Sequence, residues 1–135
     1  MSMSEWTEEG YGMPLFNGDN LNNICDFIIK HDPEVNSEEM KKAPDHYVMA
    51  DILNAPVPWK VAEIINRLED TMIFKGFQEN VDTDQEAMIG IQPVWPWESK
   101  DEDISKAGCD MLLGKYAAIL GIKTEPEYFT AHYYG

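Results

Sequence analysis

Arginine is almost missing from this chain: nine of its ten basic residues are lysines and the tenth is Arg67. Arginine supplies the planar fork that reads phosphates and base edges, and nucleic-acid binders gather their basic residues into patches or stripes. Here the sole adjacent basic pair is Lys41-Lys42. Direct contact with nucleic acid, or with an anionic membrane surface, is therefore not expected.

Other absences narrow the field further. No apolar run approaches the ~18 residues of a membrane span. The opening Met1-Ser-Met-Ser-Glu5 is polar and acidic, without the basic and apolar segments of an export signal. A cytoplasmic protein with two reduced thiols, Cys25 and Cys109, is the expectation. His31, His46 and His132 each lack a second His or Cys at metal-ligand spacing. There is no glycine-rich phosphate loop, nucleophile elbow or zinc-protease helix. Neither a metal nor another cofactor is expected, and the balance leans away from an enzyme.

What the chain does have is acid, unevenly placed. Residues 1–39 carry nine Asp+Glu against one base, and residues 79–103 carry eight against one. Residues 40–78 balance at five and five, and 104–135 at three and three. The formal net charge of -15 thus comes from two stretches. A hydrophobic content of 44% still supports a globular core, and 135 residues suit a single domain over 1–135.

The pattern predicts an α+β fold. A strand around 11–16 comes first, placed at a sheet edge because Pro14 cannot donate to a ladder. Leu21, Ile24, Cys25 and Ile28 follow helical spacing. Asn36 and Asp45 look like N-caps of two short helices. Pro58 suits the first turn of a helix whose apolar stripe is Val61, Ile64, Ile65, Leu68 and then Met72, with Glu63 and Arg67 paired on its polar side. The β-rich runs 72–77 and 87–92 flank an acidic loop, as in a hairpin. Ser99-Lys-Asp-Glu102 has the form of a capping box opening a long helix, with Ile104, Gly108, Met111, Leu112 and Ile119 inward and Gly121 as its C-cap. A strand over 127–134 closes the chain. The expected order is a strand, three or four helices, a hairpin, a long helix and a strand, β-α-α-α-β-β-α-β with three, giving a mostly antiparallel sheet of about four strands with helices on one face.

Three groups of residues carry the functional expectations. Glu79, Asp82, Asp84, Glu86, Glu98, Asp101, Glu102 and Asp103 would form one anionic surface if the hairpin tip and the following helix start adjoin. As a calcium loop from Asp82 the pattern fails, because Ala87 stands where glycine is required and Pro93 where a bidentate Glu belongs. Trp95 and Trp97, two apart on a proline-stiffened segment, project the same way and would make a rigid aromatic anchor. Trp6 and Trp59 read as packing residues. Tyr128, His132 and Tyr134 alternate along the last strand and could line a pocket.

The leading expectation is a non-catalytic acidic binding protein that engages a basic protein partner, in the manner of an inhibitor, an immunity protein or a nucleic-acid mimic. Carboxylate arrays steer cationic partners at high on-rate, and an aromatic anchor slows their release. A small enzyme or ligand-binding protein with a pocket between sheet and helices is the alternative. A homo-oligomeric accessory protein pairing through an edge strand is the third.

Overall fold

The structure is a computed structural model, and it describes residues 5–78, 87–93, 97 and 105–134. Its elements are β1 (Glu5–Pro14), α1 (Leu21–His31), α2 (Ser37–Lys42), α3 (His46–Leu53), α4 (Val57–Leu68), β2 (Phe74–Phe77), β3 (Met88–Ile91), α5 (Lys106–Leu120) and β4 (Glu127–Tyr134). The strands form one antiparallel sheet in the order β2-β3-β1-β4. The α+β class and the predicted order of elements hold, with four helices, α1 to α4, ahead of the β2–β3 hairpin.

Local chemistry explains several helix ends. The Asn36 side chain accepts from the Glu39 N–H, and Asp45 accepts from that of Val48, so both expected caps are in place. Gly121 ends α5 in the left-handed region at φ 71, which glycine enters without steric cost. The start of α5 differs from expectation. Its N-cap is Ser105, whose hydroxyl accepts from the Gly108 N–H. The capping box at 99–102 lies outside the described residues.

Strand β1 is not an edge strand. It begins earlier than its apolar residues suggest and is flanked by β3 and β4. Pro14 is tolerated because it closes the strand: pairing with β4 stops at Gly12↔Glu127, while the next N–H, that of Leu15, donates toward β3 at Ala87. The missing proline N–H therefore falls where no neighbour needs it. Of the described strands, β2 and β4 are the ones at the sheet edges.

One face of the sheet presents Tyr11, Met13, Phe74, Ile89 and Ile91 to the helices, and these join Ile24, Ile28, Val61, Ile64, Ile65, Leu113 and Tyr116 in the main core. Helix α5 is turned differently from the expected face. Cys109, Leu113, Tyr116 and Leu120 point inward, whereas Met111 and Ile119 are exposed. The helix is apolar nearly all round, so periodicity alone marks its inner side poorly. The stripe of α4 also ends sooner than expected. Leu68 closes the helix, Asp70 turns the chain at φ 51, and Met72 emerges 93% exposed.

The opposite face holds a second, smaller cluster of Phe77, Met88, Phe129 and Ala131. Phe77 on β2 and Phe129 on β4 have two strands between them, yet their rings meet edge-on at 4.8 Å. Glycines make this reach feasible. A Cβ at Gly10 would lie 2.3 Å from the Phe129 ring, and Gly12 faces Gly90 across β1 and β3. Lys75 crosses the same bare strip to pair with Glu8.

Asn20 fixes the junction of α1, β1 and α5. Its buried amide donates to the carbonyls of Leu15 and Leu120, both at 2.8 Å, and accepts from the Asn17 N–H. A buried amide with this many partners specifies one arrangement of the three segments.

Candidate functional site

Five of the basic residues are already committed inside the described fold. Lys60 bridges to Asp32 at 2.8 Å, Lys75 to Glu8, Lys106 to Asp110 at 3.1 Å and Lys115 to Glu69 at 2.9 Å. The Arg67 guanidinium donates to the His31 carbonyl rather than serving the expected pair with Glu63. Lys60 holds the Asp32 carboxyl below its ordinary range, and Tyr116 and Lys115 do the same for Glu69. Meanwhile Asp19, Asp26, Glu34, Glu38 and Glu39 stand exposed. Each of these ion pairs also occupies a carboxylate, and Lys30, Lys41, Lys42 and Lys123 are exposed as well, so the surplus of acid is that of the sequence itself.

The eight carboxylates expected to form the acidic patch, Glu79, Asp82, Asp84, Glu86, Glu98, Asp101, Glu102 and Asp103, lie outside the described residues, as does Trp95. Trp97 is described, and it is a core residue. It is 2% exposed and packs edge-on to Tyr11 with ring centroids 5.0 Å apart. An indole sealed against a central strand presents nothing to a partner, so the expected anchor role of Trp97 is corrected. Burial of so large an apolar surface outweighs what exposure could offer an isolated chain.

Tyr128 and His132 share one face of β4, and Tyr128 lies opposite Tyr11 with rings 4.6 Å apart. Tyr128 remains 48% exposed. The side chain of Tyr134 lies outside the described residues. Neither Tyr128 nor His132 lines the two cavities described below.

Tyr11 is the centre of a polar-aromatic cluster. Its hydroxyl donates to Asp110 at 2.6 Å, and Lys106 bridges the same carboxylate with its ammonium 4.9 Å from the Tyr11 ring centre. Burial, then Asp110, raises the Tyr11 pKa. The Tyr11 hydroxyl and Asp110 raise that of Lys106. Both groups are pushed away from neutrality, so each keeps its proton, and general acid–base work requires the reverse. The cluster clamps α5 onto β1.

The thiols follow the same logic. Burial, aided by Asp110, pushes the Cys109 thiol up to about 12. Burial also raises Cys25. Both cysteines are buried and unpaired, and neither is poised as a nucleophile. Among the described residues no three His, Cys, Asp or Glu side chains come together to hold a metal. No described helix is long and apolar enough to cross a membrane.

A feature the sequence reading missed lies between α4 and β2. Trp59, Ala62, Glu63 and Asn66 from the helix face Met72, Phe74, Lys75 and Gly76 across a groove of about 500 Å³. Trp59 is 56% exposed at its mouth, not a packing residue. The signal was present: Trp59, Glu63 and Asn66 recur at helical spacing on the side away from Val61, Ile64 and Ile65. A second cavity, of about 490 Å³, is lined by Asn17, Asp19, Asn20, Asn23 and Lys123 with two glycines.

No protein-family model, curated protein or solved structure matches this chain.

Proposed function

We propose that this chain is a non-catalytic acidic binding protein that engages a basic protein partner. The observation that carries the reading is the imbalance of charge: 25 acidic residues face 10 basic ones, and internal ion pairs occupy Lys60, Lys75, Lys106 and Lys115. A surface left with uncompensated carboxylates attracts cationic partners and speeds their encounter. The densest source of that field is the 79–103 stretch, with Glu79, Asp82, Asp84, Glu86, Glu98, Asp101, Glu102 and Asp103. Inhibitor, immunity-type and nucleic-acid-mimic behaviour are all forms this binding can take, and a cytoplasmic setting suits the reduced thiols.

The test separates a directed patch from bulk charge. Immobilised protein is challenged with poly-L-lysine and with a basic globular protein at about 50 mM and about 500 mM salt, where surface attraction is largely screened. One variant converts the eight carboxylates of 79–103 to amides. A control variant does so for Asp19, Asp26, Glu34, Glu38 and Glu39. Capture of the basic protein should fall steeply with salt and weaken far more in the first variant. Equal weakening in both would reduce the effect to net charge and sink the proposal.

A further inference from the structure

We infer that the groove between α4 and β2 receives an apolar side chain of the basic partner, with Trp59 and Met72 as the contact surface. This rests on the acidic-binder reading and adds the anchor that Trp97 does not supply.

The first argument is composition. Trp and Met are enriched at the cores of protein interfaces. Trp59 and Met72, 56% and 93% exposed, stand at one apolar groove. Leaving both in water is unfavourable for a solitary chain, and covering them is the source of binding energy. Trp59 is carried on a helix that proline starts and Val61, Ile64 and Ile65 anchor in the core. Its backbone is fixed by that helix, so only the ordering of its own side chain opposes its burial.

The second argument is what the groove refuses. A peptide adding as a strand would need the outward N–H and C=O of Phe74, and the Asn66 side chain already takes both at 2.9 Å. At Gly76 the N-terminal turn of α4 lies directly on the sheet face, where a Cβ would lie 2.4 Å from the Pro58 carbonyl carbon, so an added strand could set no side chain beside it there. Strand addition is opposed at Phe74, and the space beside Trp59 fits an inserted side chain.

Charge selects the occupant. Glu63, which lines the groove, shares the single Lys60 with Asp32, at 3.7 and 2.8 Å, Lys75 is paired with Glu8, and Asp70 sits two residues before Met72, so four carboxylates stand against two lysines. The rim is net negative on a chain of net charge -15. A second copy would bring the same sign and be repelled. A segment with one large apolar residue between lysines or arginines satisfies rim and groove together.

The experiment uses two fluorescent heptapeptides of alternating Lys and Arg, one with a central Leu and one with a central Gly, read by anisotropy against the full chain. The Leu peptide should bind about tenfold more tightly. Trp59→Ala and Met72→Ser should each erase most of that difference and leave binding of the Gly peptide unchanged. Met72 is so exposed that its replacement cannot unfold the core, which protects the test from a misfolded Trp59 variant. If Leu and Gly peptides bind alike, or both variants keep the difference, the groove assignment is overturned while the acidic reading survives. If neither peptide binds at low salt, the acidic reading fails first.

Discussion

The Asn66 side chain forms both backbone-type hydrogen bonds to Phe74, donating to its carbonyl and accepting from its N–H, each at 2.9 Å. An amide on helix α4 thus occupies the outer edge of β2 as a neighbouring strand would. Exposed edges invite pairing with other chains, and covering one is a known protection. Removing the amide with Asn66→Ala should cost about 2 kcal/mol, roughly 1 for each bond. Urea denaturation reads that loss. Light scattering should also show a rise in self-association, which Asn66→Asp, keeping the acceptor, reproduces only in part. An unchanged midpoint in Asn66→Ala would mean the amide is not closing the edge.

The paired glycines of the sheet give a sharper test. At Gly90 a Cβ would lie 2.2 Å from the Tyr11 carbonyl oxygen, and at Gly12 it would lie 2.1 Å from that of Ile89. Backbone cannot yield as a side-chain tip can. Gly90→Ala and Gly12→Ala should each destabilise by about 3 kcal/mol or more, in the range of severe backbone clashes. Gly114→Ala, where a Cβ meets nothing, should instead stabilise α5 by up to about 1 kcal/mol. Thermal melts of the three variants would order them.

The Lys60–Asp32 bridge makes stability depend on pH in a defined direction. Lys60 is the main cause that lowers the Asp32 pKa from 3.8 in the folded protein. A carboxylate depressed by folding stabilises above its unfolded value, and that stabilisation disappears as pH falls through the folded value. Lys60→Met should therefore cost about 1–2 kcal/mol near pH 7 for this largely buried pair. Below about pH 4 the difference from wild type should shrink. Taking the difference between the two proteins cancels the acid response of the remaining carboxylates. A gap that stays constant down to pH 2 would contradict the bridge.

Thiol chemistry should be silent in the folded state. With Cys109 pushed up to about 12 and Cys25 also raised and buried, neither offers a thiolate near neutrality. Labelling by a disulfide reagent at pH 8 should be slower than in denaturant by about a hundredfold. Rapid native labelling would refute the packing of both residues.

Much of this was legible in the residues. Asn36 and Asp45 announced two helix starts, Gly121 announced an end, and the apolar runs about residues 74 and 88 paired as a hairpin. Those signals are local: a cap or a turn is settled by groups a few residues apart. The site was less legible. Trp59 lay plainly off the buried stripe of its helix, but nothing nearby in sequence shows that Phe74 and Met72 face it. For Trp97, exposure depended on whether Tyr11, remote in the chain, offered it a surface.

Charge distribution, element types and their order therefore belonged to the chain itself, since periodicity and end signals are written within each segment. The central position of β1, the inner face of α5, the meeting of Phe77 with Phe129 and the groove beside Trp59 belonged to the fold. Each of these depends on which distant segment lies alongside. Register and packing decide that between parts of the chain that no local pattern connects.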